Sequence, residues 1–266
     1  MALLCPDQRR LPVVTTPRLY LPQALQEGGL YRLDQGHRRY LSNVLRLRSG
    51  DAVTLFDGSG WDFPGRLERS ADGEIAVRIV GRTEVDAAPA CRITLAQALP
   101  KGVKMDTIVA KATEIGVVKL IPFYSARSVP RWEETRAAAR VARWEKIAVE
   151  AARRCRRRDV PTVTPVAAFA EILAPPPGEQ GERLIFWEEG GRSIKDILRE
   201  GGASPPRDYF LVVGPEGGLT PEEVAAAREA GFTVASLGRH ILRVETASLV
   251  ILTILQYERG IFAGES

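Results

Sequence analysis

The 266 residues carry 37 Lys plus Arg against 33 Asp plus Glu, so a net charge of +4 names no partner by itself. Three widely spaced cysteines (Cys5, Cys91, Cys155) and two histidines (His37, His240) argue against a disulfide framework, a Cys/His metal site and most histidine triads. No apolar run reaches membrane-spanning length and the first residues lack the basic start of a secretory signal, which predicts a reduced, cytoplasmic, metal-free protein.

Up to about Ala87, short alternating segments at 18–21, 29–33, 52–56, 62–67 and 74–80 are separated by turn residues. That spacing predicts a small antiparallel barrel or sandwich. Asp57-Gly58-Ser59-Gly60 reads as a hairpin connection, and residues 35–45 as one helix. Every cation in this region is arginine, whose planar fork suits phosphate. A GC-rich genome, which prefers arginine codons, would leave the same bias, and acidic residues are nearly as many. An RNA-facing surface is the sharper reading, resting on Arg9, Arg10, Arg18, Arg39 and Arg46, with Arg38 and Arg48 beside them.

Residues 83–90 read as a linker, after which strands alternate with helices. Residues 93–98 predict a strand and Pro100-Lys101-Gly102 a turn. A helix follows with Met105, Ile108, Val109, Ala112 and Ile115 on one face, then a strand at 117–122. Residues 136–158 predict a long helix with an apolar stripe at Ala137, Val141, Trp144, Ala148, Ala151 and Cys155. Its end holds five arginines around Cys155. Cations suit a helix C-terminus, but five exceed that need, so Arg154 and Arg157 are candidate phosphate contacts. Cys155 reads as a packed thiol rather than a nucleophile. The loop at 175–181 carries no signal. Residues 184–187 form another strand, followed by Glu188-Glu189. Repeated β-α-β units imply an α/β fold with a mostly parallel sheet.

The most informative stretch is 212–247. A buried strand over 209–213 runs into Gly214-Pro215-Glu216-Gly217-Gly218. Thr220 then caps a helix with Pro221 at its first position and Glu223 completing a capping box, and Gly231 closes it. A strand at 234–237 leads to a second glycine turn at Gly238. Two glycine-bearing loops on the carboxyl edge of parallel strands, flanked by Glu216, Arg239, Arg243 and Glu245, point to a ligand site. The last helix, 245–259, is apolar nearly all round and needs a deep groove or a second subunit, which predicts a homodimer.

These two loops in order, with the Lys101-Gly102 and Lys111-Ala112-Thr113-Glu114-Ile115-Gly116-Val117 segments, resemble the RsmE family of 16S ribosomal RNA uracil-N3 methyltransferases. That family lies in the SPOUT superfamily. Arg127-Ser128-Val129, Arg143-Trp144-Glu145-Lys146-Ile147, and His37 with residues 41–47 and Gly50-Asp51 extend the resemblance over essentially the whole chain. It implies a PUA-like RNA-binding β-barrel over 1–85 and a trefoil-knotted α/β methyltransferase domain over 86–266, dimerising through the knotted region. It implies S-adenosylmethionine as cofactor and 16S ribosomal RNA of the small subunit as partner. The implied cofactor wall is Val213, Gly214, Pro215, Glu216, Gly217, Gly218, Leu237, Gly238, Ile241, Leu242, Arg243 and Thr246. Lys101 and Arg127 join the RNA contacts, and Arg243 and Glu245 are the catalytic candidates. The chain departs from the family pattern at Arg153-Arg154, Arg156, Val103 and Ala110, which bears on RNA docking.

Two rivals stand beside this reading. A Rossmann dinucleotide enzyme would need G-x-G-x-x-G and an acidic residue some twenty positions on, where Leu237-Gly238 stands. A non-catalytic RNA-binding or ribosome-assembly protein would keep the fold without binding the cofactor.

Overall fold

The computed structural model describes residues 16–69, 74–83, 91–174, 181–200 and 208–259. Most of the expected linker at 83–90, most of the loop at 175–181, and Arg9 and Arg10 lie outside these described residues. The chain divides into two units, Met1–Val85 and Asp86–Ser266.

In the first unit β1 (Arg18–Tyr20), β2 (Leu30–Arg32), β3 (Ala52–Phe56), β4 (Phe63–Arg69) and β5 (Ile75–Ile79) form one sheet in the order β1-β3-β4-β5-β2. Phe63, Gly65 and Leu67 of β4 face the core while Arg66 faces out, the period of two that the sequence shows. One pairing departs from the antiparallel expectation: β1 runs parallel to β3. Alternation is the same in both senses. The direction is set by the path through β2 and α1 (Gln35–Arg39), a crossover that alternation does not record. The expected helix at 35–45 is also two pieces. Asp34 caps α1 by accepting the His37 N–H at 2.7 Å, and Tyr40–Val44 continues as a π-helical turn. The hairpin between β3 and β4 turns on Asp57, whose carboxylate accepts the N–H groups of Ser59 and Leu25.

The second unit runs β6 (Arg92–Ala98), α2 (Lys104–Ile115), β7 (Lys119–Tyr124), α3 (Glu134–Cys155), β8 (Thr162–Val163), β9 (Ala167–Ala168) and α4 (Phe169–Leu173). It continues with β10 (Glu182–Phe186), β11 (Arg192–Ser193), α5 (Ile194–Glu200), β12 (Asp208–Val213), α6 (Pro221–Glu229), β13 (Thr233–Ser236) and α7 (Val244–Arg259). The strands are ordered β11-β13-β10-β12-β6-β7-β8, with β9 also on β7, and every described pairing is parallel. Both faces are covered. Ile93, Leu95, Tyr209, Leu211 and Val213 pack on one side with α2, α3 and α7. Ala96, Ala98, Phe210 and Val212 pack on the other with α4 and α6. Burial on both sides is why β6 and β12 read as near-continuous apolar runs rather than alternations.

The structure corrects α3 in two respects. It ends at Cys155 rather than at 158, because Arg156 takes a left-handed φ of 64°. Cys155 is exposed, not packed; the buried residues nearest the end are Ala151 and Ala152. A stripe gives the direction of the buried face, not how far the surface beneath it extends. α7 buries Ser248, Ile251, Leu252, Leu255 and Gln256, leaves Leu249, Val250 and Ile254 half-buried, and exposes Tyr257. No helix of the described residues is long and apolar enough to cross a membrane.

Candidate active site

The loop after β12 is braced from three sides. Within it, Gly218 takes φ +70° and donates its N–H to Pro215 O at 3.0 Å, a conformation that a side chain would strain. Thr220 and Glu223 form the expected reciprocal capping box: each side chain accepts the other's backbone N–H, at 3.2 and 2.9 Å. The second Glu223 oxygen accepts the Ala126 N–H, and Arg127 donates to Gly217 O at 2.8 Å, so the loop after β7 supports the glycine loop. On the other flank Glu216 accepts from the Lys101 N–H and, at 2.8 Å, from Lys104 Nζ. Burial pushes the Glu216 carboxyl up, but the hydrogen bonds and charge of Lys104, with backbone N–H donors, outweigh it and hold the carboxyl below its usual range.

Beneath the loop sits Gln97, fully buried at the end of β6. Its Nε2 donates to Ala98 O, Val213 O and Gly214 O at 3.1, 3.4 and 3.2 Å, and its Oε1 accepts from Ser248 Oγ of α7 at 2.6 Å. One amide thus joins β6, β12 and α7 under the site. The signal for it in the sequence is a lone glutamine in a mostly apolar strand.

Above Gln97 a cavity of about 360 Å³ opens along the carboxyl ends of β10, β12 and β13. Ligands bind open parallel sheets at such an edge. Of the expected wall, Val213, Gly214, Pro215, Glu216, Gly218, Leu237, Gly238, Ile241, Leu242 and Arg243 line it. Gly217 and Thr246 do not: Gly217 packs on the Arg127 side chain, and Thr246 is exposed on α7. Ile241 lies at the mouth, 86 % exposed, rather than in a packed slot. Glu245 also stands off the lining. Its Oε2 is buried without a hydrogen-bond partner, 4.0 Å from the lining residue Lys104. Lys104, Phe186, Trp187 and Glu188 also line the cavity, outside the wall expected from the sequence. The last three follow from β10 lying between β12 and β13, a neighbour relation that chain order does not reveal.

The expected RNA contacts separate into two groups. Arg39, Arg46, Lys101, Arg127 and Arg154 are exposed, Arg127 while bracing the glycine loop. Arg18 is 9 % exposed, paired with Asp62 at 2.5 Å and stacked on Phe56. Arg157 donates to Thr113 O and Val117 O at 2.7 and 2.8 Å and pairs with Asp159. Both serve the fold: spacing cannot tell an arginine turned inward from one turned out. Arg38 is likewise engaged, with Glu74.

A parallel sheet with helices on both faces and a glycine-walled cavity at its carboxyl edge defines an α/β ligand-binding fold. The model of the RNA methyltransferase domain family matches residues 87–256. The ribosomal RNA small subunit methyltransferase E of Bacillus subtilis is 29 % identical over 246 residues, 91 % of this chain and 96 % of the relative. The crystal structure of the corresponding Neisseria gonorrhoeae enzyme bound to S-adenosylmethionine superposes with a TM-score of 0.81 at 35 % identity, covering 92 % of this chain and 98 % of that one. A Legionella pneumophila protein solved with its bound cofactor SAM gives 0.82 at 29 %, covering 93 % and 100 %. The chain belongs to the ribosomal RNA small subunit methyltransferase E family.

Proposed function

We propose that this chain transfers the methyl group of S-adenosylmethionine to N3 of a uridine in 16S ribosomal RNA of the small ribosomal subunit. The observation that carries the reading is the cavity between the two glycine loops, in a chain whose relatives are named as methyltransferases of small-subunit ribosomal RNA. The residues fit the cofactor. A space of about 360 Å³ suits a ligand of its size, glycine backbone permits close approach, and Leu237 and Leu242 offer an apolar slot for a purine. Val213, Gly214, Pro215, Glu216, Gly218, Leu237, Gly238, Ile241, Leu242 and Arg243 would hold it.

When bound, the cofactor supplies a methyl group made electrophilic by the adjacent sulfonium. The chain's own task is the proton on uracil N3, which must leave before or during in-line attack. Glu245 is our candidate acceptor for it. Arg243, exposed at the cavity wall, is the candidate cation for charge developing on the uracil ring. N3 lies on the Watson–Crick edge, so the target base reacts unpaired or extruded.

The wider proposal takes the first unit as a PUA-like barrel that binds RNA through exposed Arg39 and Arg46, aided by Lys101, Arg127 and Arg154 of the second unit and by Arg9 and Arg10. It takes the segment after β13 as the threaded part of a trefoil knot and the half-buried side of α7 as the face of a homodimer, in a cytoplasmic enzyme that needs no metal. The burial of Ser248 against Gln97 supports a deeply seated C-terminal segment. The test is tritium transfer from labelled cofactor to small subunits from cells lacking the protein, followed by mapping of the labelled nucleotide. Label at uridine N3 is expected; no transfer, or label on another atom, refutes the proposal.

A further inference from the structure

β10 lies between β12 and β13, and its parallel register pairs Phe186 with Val213. Two residues past Phe186, Glu188 therefore stands beside the glycine loop, between the two turns that wall the cavity. Its carboxylate fills the space that a side chain at Gly218 would need. Of the two carboxylates lining the cavity, Glu216 is committed to Lys101 and Lys104. Glu188 has no hydrogen bond or ion pair among the described residues. An ionised carboxylate accepts and never donates. A ligand at this place must therefore bring donors.

We propose that Glu188 accepts the ribose hydroxyls of the adenosyl cofactor, an assignment that rests on the methyltransferase reading above. The adenosyl group has three kinds of donor to offer with its amino-acid tail: the purine amine, the vicinal ribose diol and the α-ammonium. The diol matches a carboxylate best, two adjacent hydroxyls facing two oxygens. Ribose is also the middle of the molecule, and Glu188 is central in the site, just past the end of the strand that lies between the two glycine loops. Arg239 and Arg243 in the same wall place positive charge where an α-carboxylate, rather than the ammonium beside it, is favoured. A carboxylate beside a glycine loop serves the same purpose in dinucleotide folds, where it reads the ribose 2′-hydroxyl. Here it comes from the neighbouring strand's end, a position that a search for a fixed downstream spacing does not find.

The test is calorimetric titration of the full chain and its Glu188→Ala and Glu188→Gln variants with three ligands. These are S-adenosylhomocysteine, methylthioadenosine (ribose but no amino-acid tail), and the 2′,3′-dideoxy form of methylthioadenosine. Glu188→Ala should weaken the first two alike, by roughly ten- to a hundredfold, the range for hydrogen bonds to a charged group. The parent chain should lose a similar factor on the dideoxy ligand, and Glu188→Ala should lose nothing more on it. Glu188→Gln, which keeps one acceptor oxygen, should fall between. The thermal midpoint of the free Glu188→Ala chain should match the parent, since this carboxylate bonds none of the described residues. Weakening of S-adenosylhomocysteine with unchanged methylthioadenosine would assign Glu188 to the α-ammonium and overturn the proposal. Equal losses on the dideoxy ligand in parent and variant would overturn it as well. If the parent chain binds no adenosyl ligand, the cofactor reading itself fails, an outcome distinct from either.

Discussion

Replacing Gln97 with leucine tests whether one buried amide holds the site together. The substitution keeps the volume close and removes both polar atoms. Val213 O, buried in β12, then loses the Nε2 donor at 3.4 Å, and the half-buried Gly214 O loses it at 3.2 Å. A buried acceptor left without a partner costs about 1–3 kcal/mol, and the change of shape adds under about 1.5 kcal/mol. The expected loss is about 2–3 kcal/mol, a large share of the roughly 5–15 kcal/mol that holds a domain folded. Ser248 behaves asymmetrically. Its hydroxyl bonds Gln97 Oε1 at 2.6 Å but has Val244 O as a second acceptor at 3.0 Å. Ser248→Ala in the parent chain leaves Oε1 unsatisfied and should cost about 1–2 kcal/mol. In the Gln97→Leu background it should cost almost nothing, so the double-mutant cycle shows coupling of about 1 kcal/mol or more. Urea unfolding followed by tryptophan emission suits the assay, because three of the four tryptophans lie in the second unit. Strictly additive costs, or a Gln97→Leu loss below about 0.5 kcal/mol, would refute the clip.

The Glu216 carboxyl lies below its usual range in the folded chain, so its stabilising contribution is complete above the ordinary glutamate range and is lost as pH falls through the lowered value. Thermal midpoints of the parent chain should therefore decline on acidification through that window, and those of Glu216→Gln should follow a flatter course; parallel curves would count against the Lys104 tether. Arg157→Ala should destabilise the chain by about 2 kcal/mol, through the freed carbonyls of Thr113 and Val117, and leave the salt dependence of RNA binding unchanged. Arg154→Ala, exposed in the last turn of α3, should leave the unfolding midpoint in place and lower the salt slope by about one; thermal unfolding reads the first and filter binding over a salt series the second. Arg243→Ala and Glu245→Gln should each slow single-turnover methylation by about a hundredfold or more at saturating cofactor, and unchanged rates would remove them from the catalytic role.

Local chemistry was legible from the chain alone. The Thr220-Pro221-Glu223 cap, the glycine turns at Gly218 and Gly238, and the buried face of α2 all depend on residues a few positions apart, and each formed as read. The doubly covered sheet was legible too, because strands buried on both faces must be apolar throughout. Relations across the sheet were not. Alternation in β1 and β3 is blind to their parallel sense, and a helical stripe does not say that its last turn will leave Cys155 in water. The same holds for charge: Arg18 and Arg157 read like their exposed neighbours until the fold turns them onto Asp62 and onto the carbonyls of α2's end. The active-site cavity shows the division most clearly. Sequence placed its two glycine walls, since a backbone that must take positive φ or admit a ligand selects glycine locally. Strand order alone put β10 between them, and with it Trp187 and Glu188, because which strands become neighbours is decided by packing over the whole sheet and by no single stretch of chain.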